Sequence, residues 1–501
     1  MHRRGAGVLL HVTSLPSPYG VGDMGPGARI FLDFLKKAGQ SFWQILPLTP
    51  TSPFIGDSPY SSDSAFAGNA LLISPDILAE DNWIEASDLG RTADLDPSCA
   101  AYPEAWAFKE RLFAAAFARS GPALPHNAAF QRFLRDEDHW LADYCLFKAI
   151  KGSLGGLMWT SWPREFRDRH PEALAECREN LAQRIEKEAF IQFLFFEQWE
   201  RLKDYAAKRD ILVIGDAPIY VTLDSADVWA NPGLFKLTSE GCPEFVAGVP
   251  PDYFSETGQL WGNPVYDWPV HQNQGFAWWI MRLSHSLRLY DFVRLDHFRG
   301  FCGYWEIPAG EKTAVNGHWA EAPGTELFKA LSGHFPSLPI VAEDLGVITP
   351  DVRELRDNCG FPGMKVLQFA FGPDIGENPD APHHHVENCA VYTGTHDNNT
   401  TLGWFLRDAG EAGRQSLRKY LNRDLPSQDA PWALLRLAYM SVARMAMAPM
   451  QDLLGLGYEA RMNTPSTAQG NWTWRVEAQA LTEDLAAKIK ALTILYGRSR
   501  D

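Results

Sequence analysis

Eight short, mostly apolar runs recur along this chain, and each ends close to a polar or acidic residue. They cover residues 7–12, 42–46, 211–216, 291–296, 338–344, 365–371, 389–393 and, more weakly, 445–451. Runs without apolar–polar alternation suit strands buried on both faces, as in a parallel sheet. Helical patterns lie between them. Residues 26–37 open with a proline, place Ile30, Phe31, Phe34, Leu35 and Ala38 on one face, and stop at Gly39. Near the end, Thr482 can cap a helix opened by Glu483 and Asp484, with Leu485, Ile489, Leu492 and Tyr496 at helical spacing. Eight strands alternating with helices predict an α/β fold, the (β/α)₈ TIM barrel.

The spacing between runs predicts where the barrel is interrupted. About 160 residues separate the second run from the third, too long for a loop. An insertion at about 54–205 is expected there, with a helical subdomain built from residues 104–120, 127–151 and 172–209. A second insertion at about 220–290, rich in Pro, Gly, Trp and Tyr, reads as an irregular lobe over the active site. The chain as a whole, residues 1–501, then reads as one barrel, and the roughly 50 residues after the last run leave no room for a C-terminal β-sandwich domain.

Acidic residues outnumber basic ones, 62 to 46, for a net charge of −16. That balance argues against a nucleic-acid backbone as partner and disfavours an anionic membrane surface. No apolar run reaches the length of a membrane span, and the first ten residues lack a signal-peptide core. The seven cysteines are scattered with no Cys-x-x-Cys pair, which points to a reducing, cytoplasmic setting with neither disulfides nor a zinc site. Gly20-Val-Gly-Asp-Met-Gly25 has dinucleotide-loop spacing, but its strand ends well upstream and no ribose-binding acid follows. His383, His384 and His385 sit in a Pro-rich stretch without further ligands around them and read as a solvated loop. No cofactor or metal is expected. Oligomeric state is not legible.

Three acidic sites fall at strand ends, where a barrel builds its chemistry. Asp296 lies two residues after Arg294, so strand alternation puts both side chains on one face. A cation beside a carboxylate there would keep it ionised as a nucleophile. Glu343 and Asp344 are neighbours and must point opposite ways; alternation does not choose between them. Asp397, with His396 beside it, could bind vicinal sugar hydroxyls. Cleaving a glycosidic bond needs one carboxylate to attack the anomeric carbon and one carboxylic acid to protonate the leaving oxygen, about 5–5.5 Å apart in a retaining enzyme. The 18 Trp, 15 Tyr and 29 Phe supply aromatic planes suited to the C–H faces of sugars.

The segments carrying these acids, Arg294-Leu-Asp-His-Phe-Arg-Gly, Ala342-Glu-Asp-Leu-Gly and Gly394-Thr-His-Asp-Asn-Asn-Thr, resemble the catalytic segments of the amylomaltases, glycoside hydrolase family 77. The likeness continues through Ser58-Pro-Tyr-Ser-Ser, Gly215-Asp-Ala-Pro-Ile-Tyr-Val, the long stretch 248–264, Ala460-Arg-Met-Asn-Thr-Pro and Gly470-Asn-Trp-Thr-Trp-Arg, and is weakest over about 80–190. The family often reads Pro-Gly-Thr where this chain has Pro465-Ser-Thr467. The resemblance implies a 4-α-glucanotransferase that moves an α-1,4-glucan segment from a donor glucan or maltooligosaccharide to an acceptor sugar such as glucose. It implies Asp296 as nucleophile, Glu343 as acid/base and Asp397 as the third carboxylate. It also implies sugar contacts from Tyr60, Asp216, Arg294, His297, His396 and Asn463, and a mobile loop at 248–262 contributing Asp252, Gln259 and Trp261. An α-amylase-type hydrolase would use the same carboxylates, with water as acceptor. A glucan-binding protein without activity would not need all three.

Overall fold

The structure is a computed structural model that describes residues 4–90, 95–251, 255–467 and 469–499. The apolar runs form eight strands: β1 (Gly5–Leu9), β2 (Phe42–Gln44), β3 (Leu212–Ala217), β4 (Phe292–Leu295), β5 (Ile340–Ala342), β6 (Gly363–Val366), β7 (Cys389–Tyr392) and β8 (Met445–Pro449). Their order in the sheet is β6-β7-β8-β1-β2-β3-β4-β5, and every ladder is parallel. Between β5 and β6 the Ala342 N–H donates to the Pro362 carbonyl at 2.9 Å. The Met364 N–H donates to the Asp344 carboxylate at 2.7 Å. These two bonds bring the ends of the sheet together, and the cylinder is a (β/α)₈ barrel.

Alternation sorts each strand into an inward and an outward set. Phe42, Ile214, Val341, Met364, Val366, Ala390, Tyr392, Met445 and Met447 form a packed interior. Ala6, Val8, Trp43, Val213, Val293 and Val391 face outward into the larger core under the helices. Gly7 lies on the inward side because a Cβ there would meet the Phe42 Cβ at 2.5 Å.

The first helix, α1 (Pro26–Lys37), has the predicted bounds. Its buried stripe centres on Ala28, Phe31, Leu32 and Leu35, so Ile30 falls at the edge and is 47% exposed. Thr482 caps the last helix, Glu483–Leu495, accepting from the Leu485 N–H at 3.2 Å. The sixth run is a strand only to Val366, and Leu367–Ala370 is helical; the eighth likewise turns helical at Met450–Leu454. A continuous apolar run is compatible with a buried strand or a buried helical turn, so the pattern alone misplaces that border.

Between β2 and β3 the long helices are Tyr102–Ser120, Ala128–Asp136, Asp138–Ser153, Pro171–Asn180 and Ala182–Ala207. Residues 127–151, expected as one helix, divide at Glu137, whose buried carboxylate accepts from Trp140 Nε1 at 2.6 Å. Residues 220–290, expected to be irregular, contribute Phe245–Val249 and Gln259–Pro264 to a four-stranded antiparallel sheet. Its other two strands, Gly303–Pro308 and His318–Glu321, come from the segment after β4. Short strands carrying Gly, Pro and Trp show little β pattern in sequence, which is why this sheet is not legible there. Among the described residues no helix is long and apolar enough to cross a membrane.

Candidate active site

On adjacent barrel strands Asp216 of β3 is level with Arg294 of β4. Both side chains enter the barrel mouth and are almost fully enclosed, 0% and 4% exposed. Arg294 Nη1 donates to both Asp216 oxygens, at 2.8 and 2.7 Å, and lies 2.9 Å from Asp296 Oδ1. The Tyr60 hydroxyl donates to Asp216 Oδ2 at 2.8 Å. One guanidinium thus bridges two carboxylates. Burial raises Asp216 above the usual carboxylate range, with Arg294 opposing. Burial, with Asp216 next, pushes the Tyr60 phenol well above its ordinary value, so it acts as a donor.

Leu295 is level with Ala342 across β4 and β5, which makes Asp296 and Glu343 the next pair along the same two strands. Neighbouring strands run about 4.8 Å apart. The pair is fixed by the turn after Asp296. His297 adopts a left-handed backbone with φ of 49°, uncommon for a side-chain-bearing residue. Its N–H donates to Glu343 Oε2 at 2.7 Å, and the Leu345 N–H donates to Glu343 Oε1 at 2.9 Å. Burial raises the Glu343 carboxyl from 4.5 to about 7; the Asp296 charge adds to this, while Arg294 and the two N–H donors oppose it. Asp344 points the other way, paired with Arg356 and accepting from the Met364 N–H at 2.7 Å. Of the two adjacent acids, therefore, Glu343 faces the barrel mouth and Asp344 closes the wall.

Asp397 follows β7, with its side chain 45% exposed. Asn463 Nδ2 donates to its Oδ1 at 2.6 Å, and His396 Nε2 is 3.3 Å from its Oδ2. Arg461 donates to the backbone carbonyls of Asp397 and Asn463, both at 2.7 Å. Below them the buried Asp452 accepts from the Thr401 N–H and hydroxyl, each at 2.6 Å, and from the Thr393 hydroxyl at 2.5 Å, which fixes the turn that presents Asp397. The Tyr60 ring stacks on His396 at 5.2 Å between centroids, and the Trp472 ring lies 6.0 Å from Tyr60. Tyr60 therefore joins the Asp216–Arg294–Asp296 group to the His396–Asp397 group.

From the lobe, Trp261 sets its ring edge-on to His297 at 4.9 Å and is 38% exposed. Gln259 Oε1 accepts from Trp261 Nε1 at 3.1 Å, so Gln259 is held to the site through that indole. Burial lowers the His297 imidazole to about 4, leaving it neutral. Asp252 lies outside the described residues.

Several residues here carry no role in the sequence reading. His11, at the end of the first run, is buried, and its Nδ1 accepts from the Leu46 N–H at 3.2 Å. Burial, with the neighbouring His396 imidazole next, lowers it to about 3, so it is a neutral ring behind His396. Its position just past a barrel strand was a usable signal. Arg461, Trp472 and Tyr220, the last with its ring 6.3 Å from that of Trp261, stand in the quoted motifs without a stated role. Asp452 has no sequence signal beyond following the last strand. Among the described residues no group of three or more His, Cys, Asp or Glu is arranged to hold a metal ion.

The arrangement can support attack by one carboxylate and proton delivery by a second, across a pocket whose rim is aromatic. A family model described as 4-alpha-glucanotransferase matches residues 10–482. The 4-alpha-glucanotransferase of Aquifex aeolicus is 49% identical, over 98% of this chain and 99% of that protein. The 4-alpha-glucanotransferase of a Synechocystis species is 50% identical, over 99% of each. The structure of amylomaltase from Streptococcus agalactiae in complex with acarbose superposes with a TM-score of 0.95 at 40% identity, covering 99% of this chain and 100% of that one.

Proposed function

The chain belongs to the 4-alpha-glucanotransferases of glycoside hydrolase family 77, and from that premise we propose that Asp296, Glu343 and Asp397 carry out the transfer by double displacement. The Asp296 carboxylate attacks the anomeric carbon of the donor. The bond from that carbon to the leaving oxygen breaks, its electron pair stays on the oxygen, and Glu343 supplies the proton. A glucosyl ester of Asp296 results. In the second step the 4-hydroxyl of an acceptor sugar attacks the same carbon, Glu343 takes its proton, and the ester bond breaks to return the Asp296 carboxylate. Two inversions give net retention.

The observation that carries this reading is the level placement of Asp296 and Glu343 on adjacent strands, with one acid held partly protonated and the other beside Arg294. A neutral acid next to a paired carboxylate is the division of roles that the two steps need. Asp397, kept in place by Asn463 and Arg461, would hold vicinal hydroxyls of the sugar undergoing substitution, with His396 and Tyr60 as its floor. Trp261, Gln259 and Asp252 would cover the glucan from the lobe loop. Donors would be α-1,4-glucans and maltooligosaccharides, and acceptors would include glucose. The seven free cysteines support a cytoplasmic setting.

The test is product analysis with maltotriose. Transfer yields glucose plus a ladder of longer maltooligosaccharides. Reducing ends that rise in step with bonds broken would instead mark hydrolysis. Asp296→Asn should remove the ladder by several orders of magnitude with the fold unchanged by circular dichroism; normal turnover in that variant would overturn the assignment.

A further inference from the structure

We infer that Arg299 is a positioning residue, tying the lobe to the segment that sets the Glu343 carboxyl. The inference rests on the acid/base role proposed above. Arg299 stands two residues beyond His297, in the 3₁₀ turn Phe298–Phe301. Its Nη1 donates to the Val347 carbonyl at 2.7 Å, and its guanidinium lies over the Trp319 ring at 4.1 Å. Its Nε is buried and finds no acceptor among the described residues. A guanidinium that leaves one N–H unmade is held there by the ring and by the single carbonyl it grips.

Both contacts lead somewhere. Residues 343–349 form no helix or strand, and Val347 is 74% exposed. Among the described residues, the bond from Arg299 is the hydrogen bond that fastens residues 346–348 to the body of the protein. Two residues upstream of Val347, the Leu345 N–H holds Glu343 Oε1. On the other side, Trp319 is level with Trp305 in the lobe sheet and 5.3 Å from it, ring to ring. Trp305 Nε1 donates to the Ala314 carbonyl at 2.9 Å, and the Ala314 N–H donates to the Thr257 carbonyl, on the loop proposed to cover the glucan, at 3.0 Å. Arg299 therefore sits where the covering loop's support and the acid/base segment meet.

If that contact aims Glu343, loosening it frees the Leu345 N–H and removes part of what opposes protonation of the carboxyl. Glu343 also faces Arg294, Asp296 and His297, with Asp216 behind Arg294; these are unchanged by the test. Arg299→Met removes the donor and a positive charge. Trp319→Leu removes the stacking surface and keeps the charge. Arg299→Lys keeps the charge and one donor without the flat stack. The measurement is kcat/KM for maltotriose cleavage against pH, with product ladders alongside. We expect kcat/KM about 10-fold lower in Arg299→Met and Trp319→Leu. The alkaline limb should move upward by about half a pH unit in both, with Arg299→Lys between them and wild type. An unmoved limb in Trp319→Leu would overturn the inference, including when Arg299→Met shifts, because charge alone would then explain that shift. If Arg299→Met does not fold, Trp319→Leu decides. Failure of the wild-type protein to make a ladder would instead count against the transferase mechanism on which this rests.

Discussion

Glutamine at position 343 keeps the shape of the proposed acid/base and removes its proton. An ordinary glutamic acid with a value of 4.5 is protonated in about one molecule in 300 at pH 7. Held at about 7, Glu343 is protonated in about half of them. Burial and the Asp296 charge thus enrich the acid form about 150-fold, or about 3 kcal/mol of differential interaction between its two states. In the proposed mechanism donor cleavage needs that form, so kcat/KM for maltotriose should fall as pH rises through about 7. Glu343→Gln should lower maltotriose cleavage about 10³-fold. A donor with a leaving group that needs little protonation, α-maltosyl fluoride, separates the roles. Released fluoride measured against pH should show a much smaller loss in the variant, and the limb near 7 should vanish. A wild-type limb near 4.5, or a limb that persists in Glu343→Gln, would refute the assignment of this residue as the acid.

The same ionisation links to stability. Glu343 has a folded value above its unfolded one, so the folded protein holds the proton more tightly and loses stability as pH rises from 4.5 to about 7. The unfolding free energy of Glu343→Gln should therefore gain on that of wild type between pH 5 and 8, by up to about 3 kcal/mol; a difference that does not vary with pH would argue against a raised value. Asn463→Ala removes the amide that donates to Asp397 at 2.6 Å, and should cut kcat/KM about 10- to 100-fold with little change in thermal midpoint. Gly7→Ala puts a Cβ 2.5 Å from the Phe42 Cβ and 2.8 Å from Met447 Cε, and should cost about 3 kcal/mol in denaturant unfolding. Excess chelator should leave transfer unchanged; restoration of a lost rate by an added divalent cation would overturn the metal-free mechanism.

The barrel was legible because its strands are buried on both faces and so appear as unbroken apolar runs. Where burial continued past the strand, at Leu367 and Met450, the same pattern no longer marked the border. Ile30 shows the reverse limit: one residue at the edge of a helical stripe fits the spacing and still faces water. Asp296 and Arg294 could be placed on one face from alternation alone. Glu343 and Asp344 could not be separated that way, because what distinguishes them is a contact with Arg356 and the Met364 N–H that no local pattern encodes. The lobe sheet was hidden for a related reason, since two of its strands lie on either side of β4 in sequence and meet only in space. His11, Asp452 and Arg299 act through partners hundreds or tens of residues away.

Two acids stand side by side at the end of β5, and losing either one should silence the protein for different reasons. Asp344 supplies, from a side chain, one of the two bonds described between β5 and β6, where the ends of the sheet meet. Remove it and, of the two bonds described there, only that from the Ala342 N–H to the Pro362 carbonyl still closes the wall beside Glu343. A screen that scores only lost turnover would then count both as chemical participants. A hoop and a tool would look alike, although in the mechanism proposed above only the inward-facing one meets the sugar.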